Sequence, residues 1–185
     1  MFIISRPRHA LEYDVSKITA TIPADIAKRI RGDLESYVLE AVIRSLNLDP
    51  REEISARISA ARHFLEEAGE YLRRGDAVQA GEKLYKAAEE CIKALSQVLE
   101  IEEYKRAREE GGWWTRLLNK AAERLSQLLR EEKILDAWTH AYYLHVEGFH
   151  EGRADIESIK MRIPRIEWLL KYTEDAVKSR ATGTQ

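Results

Sequence analysis

The sequence predicts a predominantly α-helical protein: a four- to five-helix up-down bundle at residues 48–179, preceded by a small strand-helix arm at residues 1–47. Three observations carry that expectation. From residue 50 onward apolar side chains recur in steps of three and four, the period of a helix with one buried face. Start and stop residues punctuate those stripes, Asp49-Pro50 before one and Gly75 after it. Alternation of period two, the mark of a strand, is confined to residues 17–22.

The arm comes first in the chain. In residues 17–22, Lys-Ile-Thr-Ala-Thr-Ile, the apolar Ile18, Ala20 and Ile22 face one way and Lys17, Thr19 and Thr21 the other. Pro23 ends the strand and suits a helix start. Two short helices follow over residues 24–31 and 34–46, divided by Gly32-Asp33. A lone strand leaves a row of unpaired backbone groups, so it must pair with residues 2–4 or with the same strand of a second chain. The order resembles the ribbon-helix-helix DNA-binding unit, in which paired strands from two chains enter the major groove. That resemblance implies Lys17, Thr19 and Thr21 as the DNA-facing side chains of an antitoxin-like dimer. A dimerisation or packing arm is the structural alternative. Residues 1–31 carry six basic and three acidic side chains, against 24 and 29 in the remainder, so any contact with nucleic acid through bulk charge falls on the arm.

The bundle elements follow in order. Asp49-Pro50-Arg51-Glu52 combines an N-cap, a proline at the first helical position and a carboxylate at the third. Ile54, Ile58, Ala61, Leu65, Ala68 and Leu72 then mark a seam that Gly75 closes. Asp76-Ala77-Val78-Gln79 is a second capping box, and Ala77, Ala80, Leu84, Ala87, Cys91, Leu95 and Val98 form the next seam. The turn between the two is short, which makes them antiparallel neighbours. Residues 100–110 are so charged that a loop or frayed extension is expected there, and Gly111-Gly112 breaks it. Trp113 and Trp114 open a further helix with Leu117, Leu118, Ala121, Leu125, Leu128 and Leu129 on its apolar side. A break near residues 131–133 precedes the helix that carries the histidines. The last helix starts at Asp155 and runs toward Val177, and Pro164 must kink or divide it. Residues 180–185 read as a loose tail.

Composition excludes several classes. The chain has 185 residues, 44% hydrophobic and 34% charged, which suits one full core with a small appendage. No apolar run is long enough to span a bilayer, and residues 1–5 are too short for a signal-peptide core, so a cytoplasmic protein without a membrane partner is expected. One cysteine, Cys91, permits neither an intrachain disulfide nor a cysteine-rich metal site and reads as a core residue. The 24 Glu and 19 Arg against six Asn and Gln together are a composition common in thermophiles. A net charge of −2 carries no global signature of nucleic-acid binding. No internal repeat, phosphate-binding glycine loop, nucleophile elbow or metalloprotease helix motif is present.

The most informative stretch is Ala141-Tyr142-Tyr143-Leu144-His145-Val146-Glu147-Gly148-Phe149-His150-Glu151. Three of the five histidines, His140, His145 and His150, fall within eleven residues. With Ile134 at zero on an ideal helix, Trp138 falls near ~40°, Ala141 near about −20° and His145 near ~20°, while His140 falls near about −120°. His145 therefore continues the buried stripe and His140 faces away. Gly148 is expected to let the chain leave the helix, so that His150 turns back toward His145. Steps of five point three histidines in three directions on an α-helix, so no metal is expected within one chain, while a site across a dimer stays open; no other cofactor is expected. Two readings remain: hydrogen-bonded structural histidines, or an acid–base pair able to move protons at a ribose 2′-hydroxyl and a leaving oxygen.

Three blocks carry a wider resemblance: residues 82–95 (Glu-Lys-Leu-Tyr-Lys-Ala-Ala-Glu-Glu-Cys-Ile-Lys-Ala-Leu), residues 113–118 (Trp-Trp-Thr-Arg-Leu-Leu) and residues 144–151 (Leu-His-Val-Glu-Gly-Phe-His-Glu). With them the bundle resembles a HEPN domain of the nucleotidyltransferase-substrate-binding type, and more narrowly the archaeal paREP family. HEPN domains are helical bundles, often dimeric. Many are metal-independent RNases with an arginine, four to six other residues, then a histidine. Others partner nucleotidyltransferases. The resemblance places His150 at the family histidine and His145 at the arginine position. An imidazole lacks the permanent charge and fork of donors with which arginine holds a phosphate. The expectation is therefore a homodimeric nucleotide- or RNA-binding module with weak or no catalysis, with Arg116, Arg153, Trp114 and Tyr142 as binding residues. The alternatives are a toxin-like endoribonuclease using His150 and His145, or the DNA-binding dimer described above.

Overall fold

The computed structural model describes residues 21–30 and 34–182. The chain divides into two units, Met1–Tyr37 and Val38–Gln185. Among the described residues all regular structure is helical and there is no strand. The strand expected at residues 17–22 falls mostly outside the described residues, Lys17 and Thr19 included. Thr21 is described, and it is exposed in irregular backbone. Pro23 does start a helix, with its carbonyl accepting from the Ile26 and Ala27 amides at 3.0 Å each. That helix, α1 (Ala24–Ala27), is a single turn and stops short of the range 24–31. α2 (Leu34–Ser45) then leads into the larger unit.

Local signals set the long helices. α3 (Pro50–Arg73) is fixed at its start by Asp49, whose Oδ1 accepts from the amides of Arg51 and Glu52 at 2.8 and 2.9 Å. Glu52 returns the bond by accepting from the Asp49 amide at 3.1 Å, completing the capping box. Such a cap is worth about 0.5–2 kcal/mol. Gly75, at φ 77°, turns the chain where a side chain would be strained. Asp76 then caps α4 (Ala77–Val98) by accepting from the Gln79 amide at 3.0 Å.

α4 is the axis of the bundle. It packs against α3, α5, α6, α7, α8 and α9 and the π-helical segment described below, and every residue from 80 to 97 is buried. Its seam residues Leu84, Ala87, Cys91 and Leu95 are core, as their spacing requires. Because neighbours surround it, its charged side chains are buried as well, and each must be paired. Lys93 Nζ donates to Glu90 at 2.7 Å, Glu89 at 2.8 Å and Glu40 at 3.0 Å. Arg57 donates to Glu40 at 2.7 Å, and to Glu90 and Glu53 at 3.0 Å each. Burial pushes the Glu40 carboxyl up, but Lys93 and Arg57 outweigh it and hold it down to about 2. Burial raises Glu89 above its ordinary value despite Lys93. Cys91 is likewise pushed up by burial, to about 12, so it is an inert core thiol.

The charged run after α4 is not a loop. It folds as α5 (Glu102–Glu109), because Ile101, Tyr104 and Ala107 recur every three residues and turn inward. Glu103 is buried beneath Arg124, which donates to both its oxygens at 3.0 and 2.7 Å. α6 (Thr115–Leu129) buries Leu117, Leu118, Ala121 and Leu125, whereas Leu128 at its end is exposed. α7 (Glu132–Tyr143) buries Ile134, Ala137, Trp138 and Ala141. Pro164 divides the C-terminal segment as its missing donor demands, giving α8 (Ile156–Lys160) and α9 (Ile163–Thr182). No helix among the described residues is long and apolar enough to cross a membrane.

Candidate functional site

Gly148 does not release the chain from the helix. After α7 the helix widens and continues as a π-helical segment, Leu144–His150. The Glu151 amide bonds to the Val146 carbonyl five residues back, at 3.0 Å. The chain turns away only at Gly152, at φ 61°. The glycine that close packing requires here is Gly81. A side chain built on Gly81 of α4 would meet the Leu144 carbonyl at 3.3 Å and the Gly148 Cα at 3.8 Å. Two helices thus approach backbone to backbone through a pair of glycines.

The widening decides where the histidines point. On an α-helix, residues five apart diverge by about 140°. In a π segment the turn widens to take hydrogen bonds that close over five residues, so residues five apart come much nearer to one face. His145 and His150 therefore share a face. Their Nε2 atoms are 3.0 Å apart and their ring centroids 4.4 Å. His140 lies elsewhere, 3.5 Å from Asp136, and burial and Arg165 hold its imidazole below the usual value.

α4 supplies the other half of the site. Glu82 Oε2 lies 2.9 Å from His145 Nδ1, and its side chain is 5% exposed. Tyr85, one turn on, stacks on the His145 ring at a centroid distance of 4.2 Å. Tyr85 in turn meets Trp138, whose indole donates to Asn119 Oδ1 at 2.8 Å. Phe149 flanks both imidazoles, at 6.2 Å from His145 and 5.2 Å from His150.

The hydrogen-bond inventory orders the protons. With the Glu82 carboxylate accepting, the His145 proton is assigned to Nδ1, and its Nε2 accepts from His150 Nε2. The result is a line of three groups, buried carboxylate to half-buried imidazole to exposed imidazole. It can orient a ring and pass a proton toward solvent.

The other expected binding residues make contacts of their own. Arg116 ion-pairs with Glu110. Trp114 caps α6 and Tyr142 lies on α7, 53% and 37% exposed. Arg153 follows the π segment and is held by Glu151 at 3.0 Å and Glu147 at 3.5 Å. A shallow pocket lined by Ser55, Ser59, Arg62 and Glu174, between α3 and α9, shares no residue with the histidine site. Glu82 and Tyr85 were not singled out from sequence as site residues. Their signal was present: charged and phenolic side chains on a helix whose small-residue seam shows close packing.

A sequence model of the archaeal PaREP1/PaREP8 family matches residues 56–170, a span that contains Glu82, Tyr85, His145 and His150. No curated protein matches the chain by sequence. Among solved structures, the chain is similar to a structural-genomics target from Sulfolobus solfataricus. That crystal structure is 36% identical, with a TM-score of 0.59, over 64% of this chain and 96% of that one. A solution structure of the same target is 35% identical, with a TM-score of 0.58, over 64% of this chain and 92% of that one. With the family's model matched over more than half of its length, the chain belongs to the archaeal PaREP1/PaREP8 family.

Proposed function

We propose that this protein is a HEPN-like, homodimeric module that binds a nucleotide or RNA backbone at the His145–His150 face. The observation that carries the reading is the hydrogen-bonded line Glu82–His145–His150. It presents an oriented imidazole pair at the surface, where ring nitrogens can meet a phosphate. Arg153, three residues beyond His150, is the nearest guanidinium along the chain, and a phosphate would have to take it from Glu147 and Glu151. Dimerisation rests on the HEPN resemblance and on α7, where Leu135 and Tyr142, seven residues apart on one face, are 37% exposed each. A nucleotidyltransferase is the partner protein that the same resemblance suggests.

The test is fluorescence anisotropy of labelled single-stranded RNA and of nucleotides in EDTA. His150→Ala is expected to weaken binding about tenfold or more with the fold unchanged. Equal affinity of the variant would contradict the reading. A second reading, a metal-independent endoribonuclease, is favoured by Glu82, because a buried carboxylate orienting one imidazole is what a general base needs. It requires RNA cleavage in EDTA that leaves cyclic phosphate ends and falls about a hundredfold in His150→Ala.

A further inference from the structure

We propose that the His145–His150 pair is also a binding site for a divalent first-row transition cation of the Ni2+, Cu2+ and Zn2+ class, which imidazole nitrogens favour. The inference does not rest on the phosphate reading. It rests on the π segment, which overturns the expectation that a five-residue step cannot place two ligands on one face.

The geometry is that of a chelate. The two Nε2 atoms are 3.0 Å apart while the ring centroids are 4.4 Å apart, with the planes at 79°. Each nitrogen is thus turned toward the other ring, but obliquely, as two ligands of one ion are. An ion bonded to both at about 2.0–2.1 Å would see them near a right angle. That is the cis arrangement of a tetragonal or octahedral site, and a tetrahedral ion needs the nitrogens to part by only about 0.3 Å. His145 already donates its other ring proton to Glu82, 2.9 Å away and buried. A carboxylate behind a ligand histidine fixes its tautomer and strengthens it as a donor. His150 frees its Nε2 by carrying its proton on Nδ1. Among the described residues no third His, Cys, Asp or Glu converges here. His150 is exposed, so water fills the remaining positions and the ion stays exchangeable.

The full chain, stripped with chelator and exchanged into metal-free buffer, is titrated with Ni2+ and with Zn2+ by calorimetry. One ion per chain is expected. His145→Ala and His150→Ala should each weaken binding about a hundredfold, and Glu82→Gln about 10–100-fold with stoichiometry kept. His140→Ala and His63→Ala should change nothing. His150 is exposed, so that variant keeps its fold, checked by circular dichroism. Absence of saturable binding, wild-type affinity in His150→Ala, or loss of binding in His140→Ala would overturn the proposal. Nucleotide and RNA affinities are measured in EDTA, so the two readings fail separately.

Discussion

Among the described residues, the hydrogen-bond partner of Glu82 is His145. Substituting His145 by alanine leaves a buried carboxylate without its donor, and the expected cost is about 1–3 kcal/mol, read as a lower urea midpoint. Lys93 is a harsher case. Its ammonium is 1% exposed among Glu40, Glu89 and Glu90, so Lys93→Met takes the cation from Glu89 and leaves Glu40 and Glu90 to share Arg57 with Glu53. Breaking such a buried network costs about 3–5 kcal/mol. Glu40 sets an acid limit on stability. Its folded value of about 2 lies below the ordinary 4.5, so its contribution is complete above pH 4.5 and is lost as pH falls toward 2. The loss is on the order of 3 kcal/mol. Glu89, shifted upward, works in the opposite direction. Denaturant unfolding should therefore show Glu40→Gln less stable than wild type at pH 7, with the gap closing near pH 2–3. At this scale the sequence disclosed the core positions, Cys91 included, because apolar spacing reports them directly. It did not disclose which charges are buried, since that depends on how many neighbours surround α4.

At the scale of elements, signals held in one or two residues were legible. Asp49-Pro50 started α3, Gly75 ended the turn after it, and Pro164 split the C-terminal helix. Two elements were hidden for definable reasons. In α5 the inward stripe Ile101, Tyr104, Ala107 is diluted by eight charged residues at positions 100–110. The π segment has no residue signature, because its five-residue hydrogen bonding shows only in the folded backbone. Gly81 and Gly148 predict opposite outcomes. A methyl on Gly81 meets the Leu144 carbonyl oxygen at 3.3 Å, and backbone cannot step aside. Gly81→Ala should lose about 1–3 kcal/mol as overpacking and disturb the neighbouring Glu82–His145 bond. A methyl on Gly148 meets nothing nearer than 3.8 Å, so Gly148→Ala should be neutral or gain about 0.5–1 kcal/mol in helix propensity. Thermal melts of both variants settle the contrast.

At the scale of the whole molecule, Glu40 bears on where the bundle begins. It lies within the residues 1–47 that the strand and short-helix pattern grouped as an arm, yet it bonds Arg57 and Lys93 at 2.7 and 3.0 Å. Removing residues 1–47 should destabilise the bundle by about 3–5 kcal/mol, because two buried cations lose a shared carboxylate. The proposed dimer makes a separate prediction: light scattering at micromolar concentration should give twice the 21.4 kDa chain mass. A strict monomer would remove the shared face from the functional reading.

A π-helical turn places His145 and His150 in one hydrogen-bonded line anchored by Glu82. Nitrogen-15 NMR of the imidazole rings in the metal-free chain reads that line atom by atom. His145 should show its proton on Nδ1, and a through-hydrogen-bond coupling should link its Nε2 to the Nε2 of His150. Glu82→Gln should shift the His145 nitrogens. A His145 protonated on Nε2 alone, with no coupling to His150 and no response to Glu82→Gln, would contradict the account.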